Sequence, residues 1–404
     1  MTDTTFTGLG LAEPLIRALN QARFTQPTPI QAKAIGPILQ GRDLLGLAQT
    51  GTGKTAAFAL PLLHHLAADT APLAKRSVRA LILAPTRELA LQIQAEIKML
   101  SAHLKLRSVT VMGGVGRQPQ VRAVARGADI MVGTPGRVLD LLQAGDMRLD
   151  TLTHFVLDEA DRMLDFGFIR DIRKIVERLP EKRQSLLFSA TMPDDVAKLA
   201  ATILDRPERV EAGRDKMIAP ERIDQQVHFV AQGDKRALLN QLLADGQVAR
   251  AIVFTRTKHG ANRVAKHLMT DGTEADAIHG NKSQSARQTA LARFRDGRAR
   301  VLVATDIAAR GIDVAGISHV FNFDLPNVPE SYVHRIGRTA RAGASGTAVS
   351  FCDASEVEYL RDIEKLTGHR LQVIGGGAPD TVATKAPKKP RRNRNRGRRF
   401  QKAA

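Results

Sequence analysis

Short apolar runs recur along the chain, and each is followed by a polar or glycine-containing loop. In the first half these runs are Leu44–Leu47, Ala80–Ala84, Asp129–Val132, His154–Leu157 and Ser185–Phe188. Runs this short and this apolar are typical of parallel strands buried on both faces. Between them lie helical patterns such as Glu88–Leu100, whose apolar residues recur with a period near 3.6. The alternation predicts an α/β fold built on a parallel sheet.

The second half of the chain repeats this plan. Its apolar runs are Ala251–Phe254, Ala277–His279, Arg300–Ala304, Ser318–Phe323 and Thr347–Phe351. With 404 residues, 43% of them apolar, the chain is long enough for two hydrophobic cores. We therefore predict two similar domains, residues 1–208 and 223–374, joined by a charged, proline-containing linker at residues 209–222.

The charge of the chain is strongly basic and unevenly placed. The formal net charge is +19, which suits a polyanionic partner without naming it. Residues 381–404 hold ten Lys or Arg and no acid, so about half of the excess lies there. Because this segment is also poor in aliphatic residues, we predict that residues 375–404 form a disordered basic tail.

Cysteine usage and hydropathy narrow the class of protein further. Cys352 is the only cysteine, which excludes an internal disulfide and, with eleven scattered histidines, argues against a zinc site. A reducing cytoplasm fits this composition. The N-terminus lacks the pattern of a secretion signal, and no run of about 18 apolar residues is present, so we expect no membrane association.

A glycine-rich segment lies between the first apolar run and a helical pattern. It reads AQTGTGKT and fits a phosphate-binding loop with Ala in place of the first Gly. Glycines let backbone N–H groups face phosphate oxygens, the lysine reaches the outer phosphates, and the final threonine can hold Mg²⁺. We predict an ATP or GTP site formed by Ala48, Gln49, Thr50, Gly51, Thr52, Gly53, Lys54 and Thr55.

A run of acids follows the strand HFVL. Asp158, Glu159, Ala160 and Asp161 are placed at the carboxyl end of a parallel strand, where open α/β sheets bind ligands. Taken alone, a solvated turn or a helix cap explains them equally well. Beside Lys54, we predict that Asp158 holds Mg²⁺ through water and that Glu159 is the general base that orients the attacking water.

These residues, with further motifs in the same order, resemble the DEAD-box RNA helicases of superfamily two over about residues 6–370. The resemblance implies two tandem RecA-like domains, ATP and Mg²⁺ as cofactors, RNA as partner, and an RNA-stimulated ATPase that unwinds short duplexes or remodels RNA–protein complexes. The basic tail, DFGFIRDI at residues 165–172 and RQSLLFSATMP at residues 183–193 resemble the bacterial RhlE-type branch.

The N-terminal segment, about residues 4–32, is similar to the adenine-reading Q motif. By resemblance, Phe24 stacks on adenine and Gln31 hydrogen-bonds to its edge, which implies ATP rather than GTP; a structural turn at Pro27–Pro29 explains the same residues. Two positions depart from the family, which commonly has Gly where Arg23 and Ala340 stand. Neither departure removes a catalytic side chain.

Several loops that follow strands match the RNA-contacting motifs of the family. Threonine hydroxyls, loop N–H groups and guanidinium groups grip phosphates without reading bases, so the implied contact is independent of sequence. Each loop alone could be an ordinary turn. The implied RNA-binding residues are Pro85, Thr86, Arg87, Gly114, Thr134, Pro135, Gly136 and Arg137 in the first domain and Arg256, Gln284, Arg287 and Thr305 in the second.

The resemblance also implies coupling between the nucleotide site and domain motion. Asp161, Ser189, Thr191 and His334 match the coupling residues, and Asp313 matches the ribose-contacting acid. Arg338 and Arg341 of HRIGRTAR match arginine fingers, which stabilise transition-state charge on the γ-phosphate only when the domains close. Without the first domain, a solvated Arg-rich turn would be the simpler interpretation.

Two other functions use the same closed state. An ATP-dependent clamp or scaffold would hold RNA without separating strands, and a DNA helicase would grip phosphates in the same way. The basic tail would tether structured RNA electrostatically or act only as a solubilising extension. We expect a monomer, with ribosome-assembly or RNA-decay proteins as candidate partners.

Overall fold

The computed structural model describes residues 5–49, 51–69, 71–212, 223–309, 314, 316–340 and 345–375. Within the first half, seven strands are described: β1 Leu44–Ala48, β2 Val78–Leu83, β3 Ser108–Val111, β4 Ala128–Gly133, β5 His154–Leu157, β6 Gln184–Ser189 and β7 Glu208–Ala212. The helices are α1 Glu13–Gln21, α2 Pro29–Leu39, α3 Lys54–Ala68, α4 Arg87–Leu100, α5 Arg117–Val124, α6 Pro135–Gln143, α7 Ala160–Asp165, α8 Ile169–Val176 and α9 Asp194–Ile203, after a 3₁₀ turn at Thr7–Leu9.

The second half contains its own set of elements. The strands are β8 Ile223–Phe229, β9 Ala251–Phe254, β10 Ala275–Ile278, β11 Val301–Ala304, β12 His319–Asn322, β13 Gly346–Cys352 and β14 Gln372–Gly375. The helices are α10 Lys235–Leu243, α11 Lys258–Thr270, α12 Gln284–Arg295, α13 Asp306–Ala309, α14 Pro329–Ile336 and α15 Val357–Thr367. None of the helices in the described part of the chain is long and apolar enough to cross a bilayer.

The two sheets have the same strand order. The first runs β3-β4-β2-β5-β6-β1-β7 and the second β10-β11-β9-β12-β13-β8-β14, and the pairings are parallel throughout. If the strands of the second sheet are renumbered so that β8 becomes the first, their order is the same as that of the first sheet. The prediction of two similar α/β domains with RecA-like parallel sheets is therefore confirmed.

Helices cover both faces of the first sheet, which explains the continuous apolar runs. In β6, Leu186 and Phe188 join the core on one face with Phe58, whereas Leu187 joins the core on the other face. Successive side chains of a strand point to opposite faces, so both sets of residues are buried. This burial is what makes the central strands recognisable from sequence.

The outer strands are the ones that the apolar pattern missed. β3, β7 and β14 lie at sheet edges, and β8 (IDQQVHF) carries polar residues beside β14. Half-exposed strands hold fewer apolar residues, so no run stands out. β7 also includes residues 209–212, which we expected to begin the linker; pairing with β1 places them in the first sheet. Gly375, expected to begin the tail, ends β14 instead. Residues 213–222 and the rest of the expected tail, residues 376–404, lie outside the described residues.

Two non-glycine residues adopt a left-handed backbone where the family commonly has Gly. Arg23 has φ of 60° and Ala340 has φ of 55°. The left-handed region costs an L-residue roughly 1–2 kcal/mol. The two departures noted from sequence thus keep the glycine conformation and strain the backbone.

Replacing Arg23 by Gly should stabilise the first domain. Because Arg23 is exposed, the substitution relieves the strain while losing little packing, and we expect the free energy of unfolding to rise by about 0.5–1 kcal/mol. Urea unfolding measures the change. Arg23→Ala keeps the Cβ and should give no gain; an equal gain in Arg23→Ala would contradict the strain.

Candidate nucleotide and RNA site

The phosphate loop, residues 48–55, joins the end of β1 to the beginning of α3. Gly51 and Gly53 have φ of 82° and 90°, and Gly53 caps α3. A Cβ on Gly53 would lie 2.4 Å from Nε2 of Gln31, so a side chain there would displace the Gln31 amide. Backbone N–H groups at this helix start have no intrahelical acceptor and suit phosphate oxygens. Thr50 lies outside the described residues.

Lys54 lies at the centre of this loop. It is buried, and its Nζ donates a hydrogen bond to the carbonyl of Ala48 at 2.9 Å. The loop is also closed by Thr52, whose Oγ1 donates to the carbonyl of Gln49 at 2.8 Å. Thr55 follows in the first turn of α3 and is partly exposed. The ammonium group therefore lies next to the position that phosphates would take.

The acids after β5 are almost fully buried. Asp158 and Glu159 are 1% and 2% exposed. Burial raises the pKa of Asp158 to about 6, the charge of Lys54 opposes this shift, and Glu159 adds to it. Oδ1 of Asp158 is buried without a hydrogen bond in the described part of the chain. An unpartnered carboxylate oxygen beside a phosphate loop suits a hard cation such as Mg²⁺.

Glu159 has a strained backbone and a nearby cation. Its φ and ψ are 56° and 53°, and it caps α7. One of its carboxylate oxygens, Oε2, lies 3.5 Å from Nη1 of Arg162, and both side chains are 3% exposed. Sequence reasoning missed Arg162, although its position three residues after Glu159, at the start of a helix, indicated such a pair.

The expected coupling residues of the first domain are in contact. Oδ2 of Asp161 accepts hydrogen bonds from the N–H and the hydroxyl of Thr191, each at 2.9 Å. The N–H of Asp161 donates to Oγ of Ser189 at 3.2 Å. Burial opposes ionisation of Asp161, but Lys54 and the Thr191 bonds outweigh it and lower its pKa. The end of β6 is thus tied to the acids of the nucleotide site.

Gln31 connects the N-terminal segment to the phosphate loop. Its Oε1 accepts from the N–H of Thr28 at 2.9 Å, and its Nε2 donates to the carbonyl of Gly53 at 3.0 Å. The predicted role was a contact with adenine, whereas here both ends of the amide bond to the protein. Phe24 is partly buried and meets Phe6 edge to face, with ring centroids 6.5 Å apart.

The predicted RNA loops of the first domain lie side by side after β2, β3 and β4. Thr86 caps α4 by accepting from the N–H of Leu89, and a Cβ on Gly114 would collide with the guanidinium of Arg87. Arg137 donates from Nη1 to the carbonyl of Val115 at 3.2 Å.

The other loop residues of this group complete the surface. Oγ1 of Thr134 accepts from the N–H of Gly113 at 3.4 Å, and Pro135 begins α6, followed by Gly136. Pro85 directly precedes Thr86 and is buried. These loops form one surface at the carboxyl edge of the sheet.

Glu88 joins this surface to the second domain. Its carboxylate accepts from Nε2 of Gln284 at 3.3 Å and pairs with Nη2 of Arg287 at 2.8 Å. The charge of Arg287 also contributes to a lowered pKa of Arg87, for which burial is the main cause. Sequence reasoning named Gln284 and Arg287 but missed Glu88, the acid that brings them to the first domain.

Arg338 and His334 of the second domain lie beside a buried Arg335, which the sequence analysis did not single out. Arg335 bonds to Oδ1 and Oδ2 of Asp306 at 2.5 and 2.8 Å, and its guanidinium lies 5.0 Å from the centroid of the Phe254 ring. Arg338 donates to the carbonyl of His334 at 3.2 Å. The ion pair between Arg335 and Asp306 fixes α14 against the end of β11, where Thr305 lies. Arg341 and Asp313 lie outside the described residues.

Comparison with known proteins identifies the family. Residues 28–199 match the DEAD/DEAH box helicase family, and residues 234–343 match the helicase conserved C-terminal domain. The chain is 43% identical over 369 residues to the DEAD-box ATP-dependent RNA helicase CshA of Geobacillus kaustophilus, covering 91% of this chain and 78% of that one. The chain belongs to the DEAD-box ATP-dependent RNA helicases.

Solved structures of the family agree over nearly the whole chain. S. cerevisiae Dbp5 bound to RNA and ADP BeF3 has a TM-score of 0.80 at 33% identity, covering 92% of this chain and 95% of that one. Mss116p bound to single-stranded RNA and AMP-PNP has a TM-score of 0.82 at 30% identity, covering 93% and 80%. The resemblance inferred from the motifs is therefore confirmed at the level of the DEAD-box family.

The raised pKa of Asp158 predicts a stability cost for this DEAD-box acid. Between pH of about 4 and 6 the Asp158 carboxyl is protonated in the folded chain but ionised in the unfolded chain. The destabilisation caused by burying its charge is therefore absent below this range and complete above it. We expect Asp158→Asn, without nucleotide, to raise the free energy of unfolding at pH 7.5 by on the order of 1–3 kcal/mol, and by less at pH 5.

Urea unfolding at the two pH values tests this expectation. Asp150→Asn makes the same change at an exposed site and should alter neither value. A gain at pH 5 as large as that at pH 7.5 would show that burial of the charge is not the cause.

The Thr191 hydroxyl should affect coupling more than hydrolysis. Thr191→Val removes one bond to ionised Asp161 and keeps the backbone bond, a loss of about 1.5–3 kcal/mol. We expect RNA strands separated per ATP hydrolysed to fall roughly tenfold, with hydrolysis less affected. Thr202→Val, which removes a hydroxyl bond to a carbonyl within α9, is the control; equal losses in both variants would contradict the coupling role.

Proposed function

We propose that this chain is an RNA-stimulated ATPase that binds RNA backbone without reading sequence and locally unwinds short duplexes or remodels RNA–protein complexes. The observation that carries the proposal is a continuous set of contacts. The phosphate loop meets the buried acids, Asp161 bonds to Thr191, and Glu88 joins the RNA loops of the first domain to Gln284 and Arg287.

The nucleotide chemistry follows from the groups at the end of β5. The N–H groups of the phosphate loop and the ammonium of Lys54 hold the phosphates, and Glu159 accepts a proton from the attacking water. Thr55 and Asp158 would hold Mg²⁺, which neutralises charge on the phosphates when bound. Arg338 and Arg341 of the second domain supply the cations for the transition state, and Phe24, Gln31 and Asp313 contact the nucleoside.

The RNA chemistry follows from the loops at the same edge of both sheets. Hydroxyl, N–H and guanidinium donors contact phosphates, which carry no sequence information. A closed cleft that fits bent single-stranded backbone excludes an A-form duplex, so closure separates strands locally. Separating the strands of a duplex costs about 1.4 kcal/mol per stacked base-pair step, the value for DNA, so one closure of the cleft melts only a short duplex.

Finer assignments belong to the same proposal. The sequences of residues 165–172 and 183–193 and the basic tail support the RhlE-type branch, whereas the Geobacillus kaustophilus relative described above is named CshA. We further propose domain limits near residues 212 and 223, a monomeric state, a cytoplasmic location and partners from ribosome assembly or RNA decay; the first limit follows from the pairing of β7 with β1.

Steady-state ATP hydrolysis tests the proposal directly. We expect single-stranded RNA to stimulate the wild type more than matched DNA, and Glu159→Gln to reduce the stimulated rate by about 10²–10⁴-fold, because Gln cannot accept the proton. Glu177→Gln, the same change at an exposed site, should retain full activity.

Other outcomes point to other functions. Equal stimulation by DNA would favour a DNA helicase, and RNA stimulation without strand release would favour a clamp. An unaffected Glu159→Gln variant would exclude the proposed base.

A further inference from the structure

Lys235 is the most completely buried cation of the second domain within the described residues, with 0% exposure. Its Nζ lies 2.5 Å from Oε2 of Glu356, 3.3 Å from Asp353 and 4.0 Å from Asp324. A buried ammonium is stable only when paired and hydrogen-bonded. Three carboxylates surround one lysine, so their negative charge exceeds the single positive charge of Lys235.

Glu356 uses its second oxygen for a different cation. Oε1 accepts from Nη2 of Arg256 at 2.5 Å and from the N–H of Leu325 at 3.1 Å. Oε2 accepts from Lys235 and from the N–H of Asp353 at 3.4 Å. With four donors and 1% exposure, this carboxylate has one defined orientation.

Arg256 makes four contacts. Nη2 donates to Glu356 and, at 3.0 Å, to the carbonyl of Leu325. The backbone N–H of Arg256 donates to Oδ2 of Asp324 at 2.9 Å, and the guanidinium lies 5.4 Å from the centroid of the Tyr359 ring. The side chain is nevertheless 37% exposed, and among the described residues Nε and Nη1 have no hydrogen-bond partner.

This cluster lies at the edge where the proposed RNA contacts lie. Arg256 follows β9, Asp324 follows β12 and Asp353 and Glu356 follow β13, and these three strands are neighbours in the sheet. The same carboxyl edge carries Thr305 after β11 and Gln284 after β10. A guanidinium fixed through one nitrogen, with its other donors exposed, is suited to a phosphate.

We propose that Glu356 is a positioning residue for RNA binding: anchored by Lys235, it holds the guanidinium of Arg256 toward the phosphate backbone. The inference rests on the proposed function and deepens it, because it assigns part of the RNA affinity to residues outside the RNA-contacting loops. Lys235 and Glu356 touch neither RNA nor nucleotide. Their effect is expected on RNA affinity and not on the chemistry of hydrolysis.

A double-mutant cycle tests the proposal in the full-length protein. Arg256→Gln should raise the RNA concentration for half-maximal ATPase stimulation about tenfold and lower the slope of log affinity against log salt by about 0.7. Glu356→Gln should produce most of the same shift, with the rate at saturating RNA unchanged. In the Arg256→Gln background, Glu356→Gln should add less than twofold.

Two further variants separate positioning from stability. Asp129→Asn removes a buried ion pair with Arg79 in the first domain and should lower the melting temperature without changing half-saturation by RNA. Tyr359→Leu removes the ring beside Arg256 without changing any charge, and should weaken RNA binding even where Glu356→Gln fails to fold.

The outcomes are distinct. Independent, additive effects of Arg256→Gln and Glu356→Gln, or an unchanged RNA half-saturation in Arg256→Gln and Tyr359→Leu, would overturn the positioning role while wild-type stimulation by RNA stands. Absence of stimulation in the wild type would overturn the proposed function itself, and the inference with it.

Discussion

Three carboxylates packed at the end of one buried strand are the constraint on which the structure depends. Asp158, Glu159 and Asp161 lie within four residues of each other and are at most 6% exposed. Such a group is tolerated only where cations and hydrogen-bond donors surround it. Lys54, Arg162 and Thr191 provide them, and each comes from an element that must therefore meet the end of β5.

Because the two sheets have the same topology, the second domain has an equivalent carboxyl edge, but different charged side chains are buried there. In the first domain, acids are buried beside a phosphate loop. In the second, the buried cations Lys235 and Arg335 are held in place by acids at the ends of β12 and β13 and in α13. One topology thus presents a pocket for phosphates on one side and oriented guanidinium groups on the other, with Glu88 paired to Arg287 between them.

Much of this arrangement could be predicted from sequence because it rests on local patterns. The strand HFVL, buried on both faces, placed the acids, and the offset of Lys54 from the glycines placed the phosphate loop. Edge strands such as β3 and β7 were missed because half-exposed strands carry few apolar residues. Glu88 and Arg335 were missed because their partners are set by tertiary packing. Arg162 pairs with Glu159 only three residues away, and it was missed because a charged residue on a helix is ordinarily a solvated one. The motif singled out Gln31 for a contact with adenine, but its bond to Gly53 was not predicted because it depends on the approach of two distant segments.

The contact between Gln31 and Gly53 links two positions that are 22 residues apart in sequence. Any side chain at position 53 would occupy the volume that the Gln31 amide fills, and a shorter residue at position 31 would leave the carbonyl of Gly53 without its donor. A change at either site would therefore break the bond between them. A designer who transplants this phosphate loop into another scaffold would have to carry the beginning of α2 along with it.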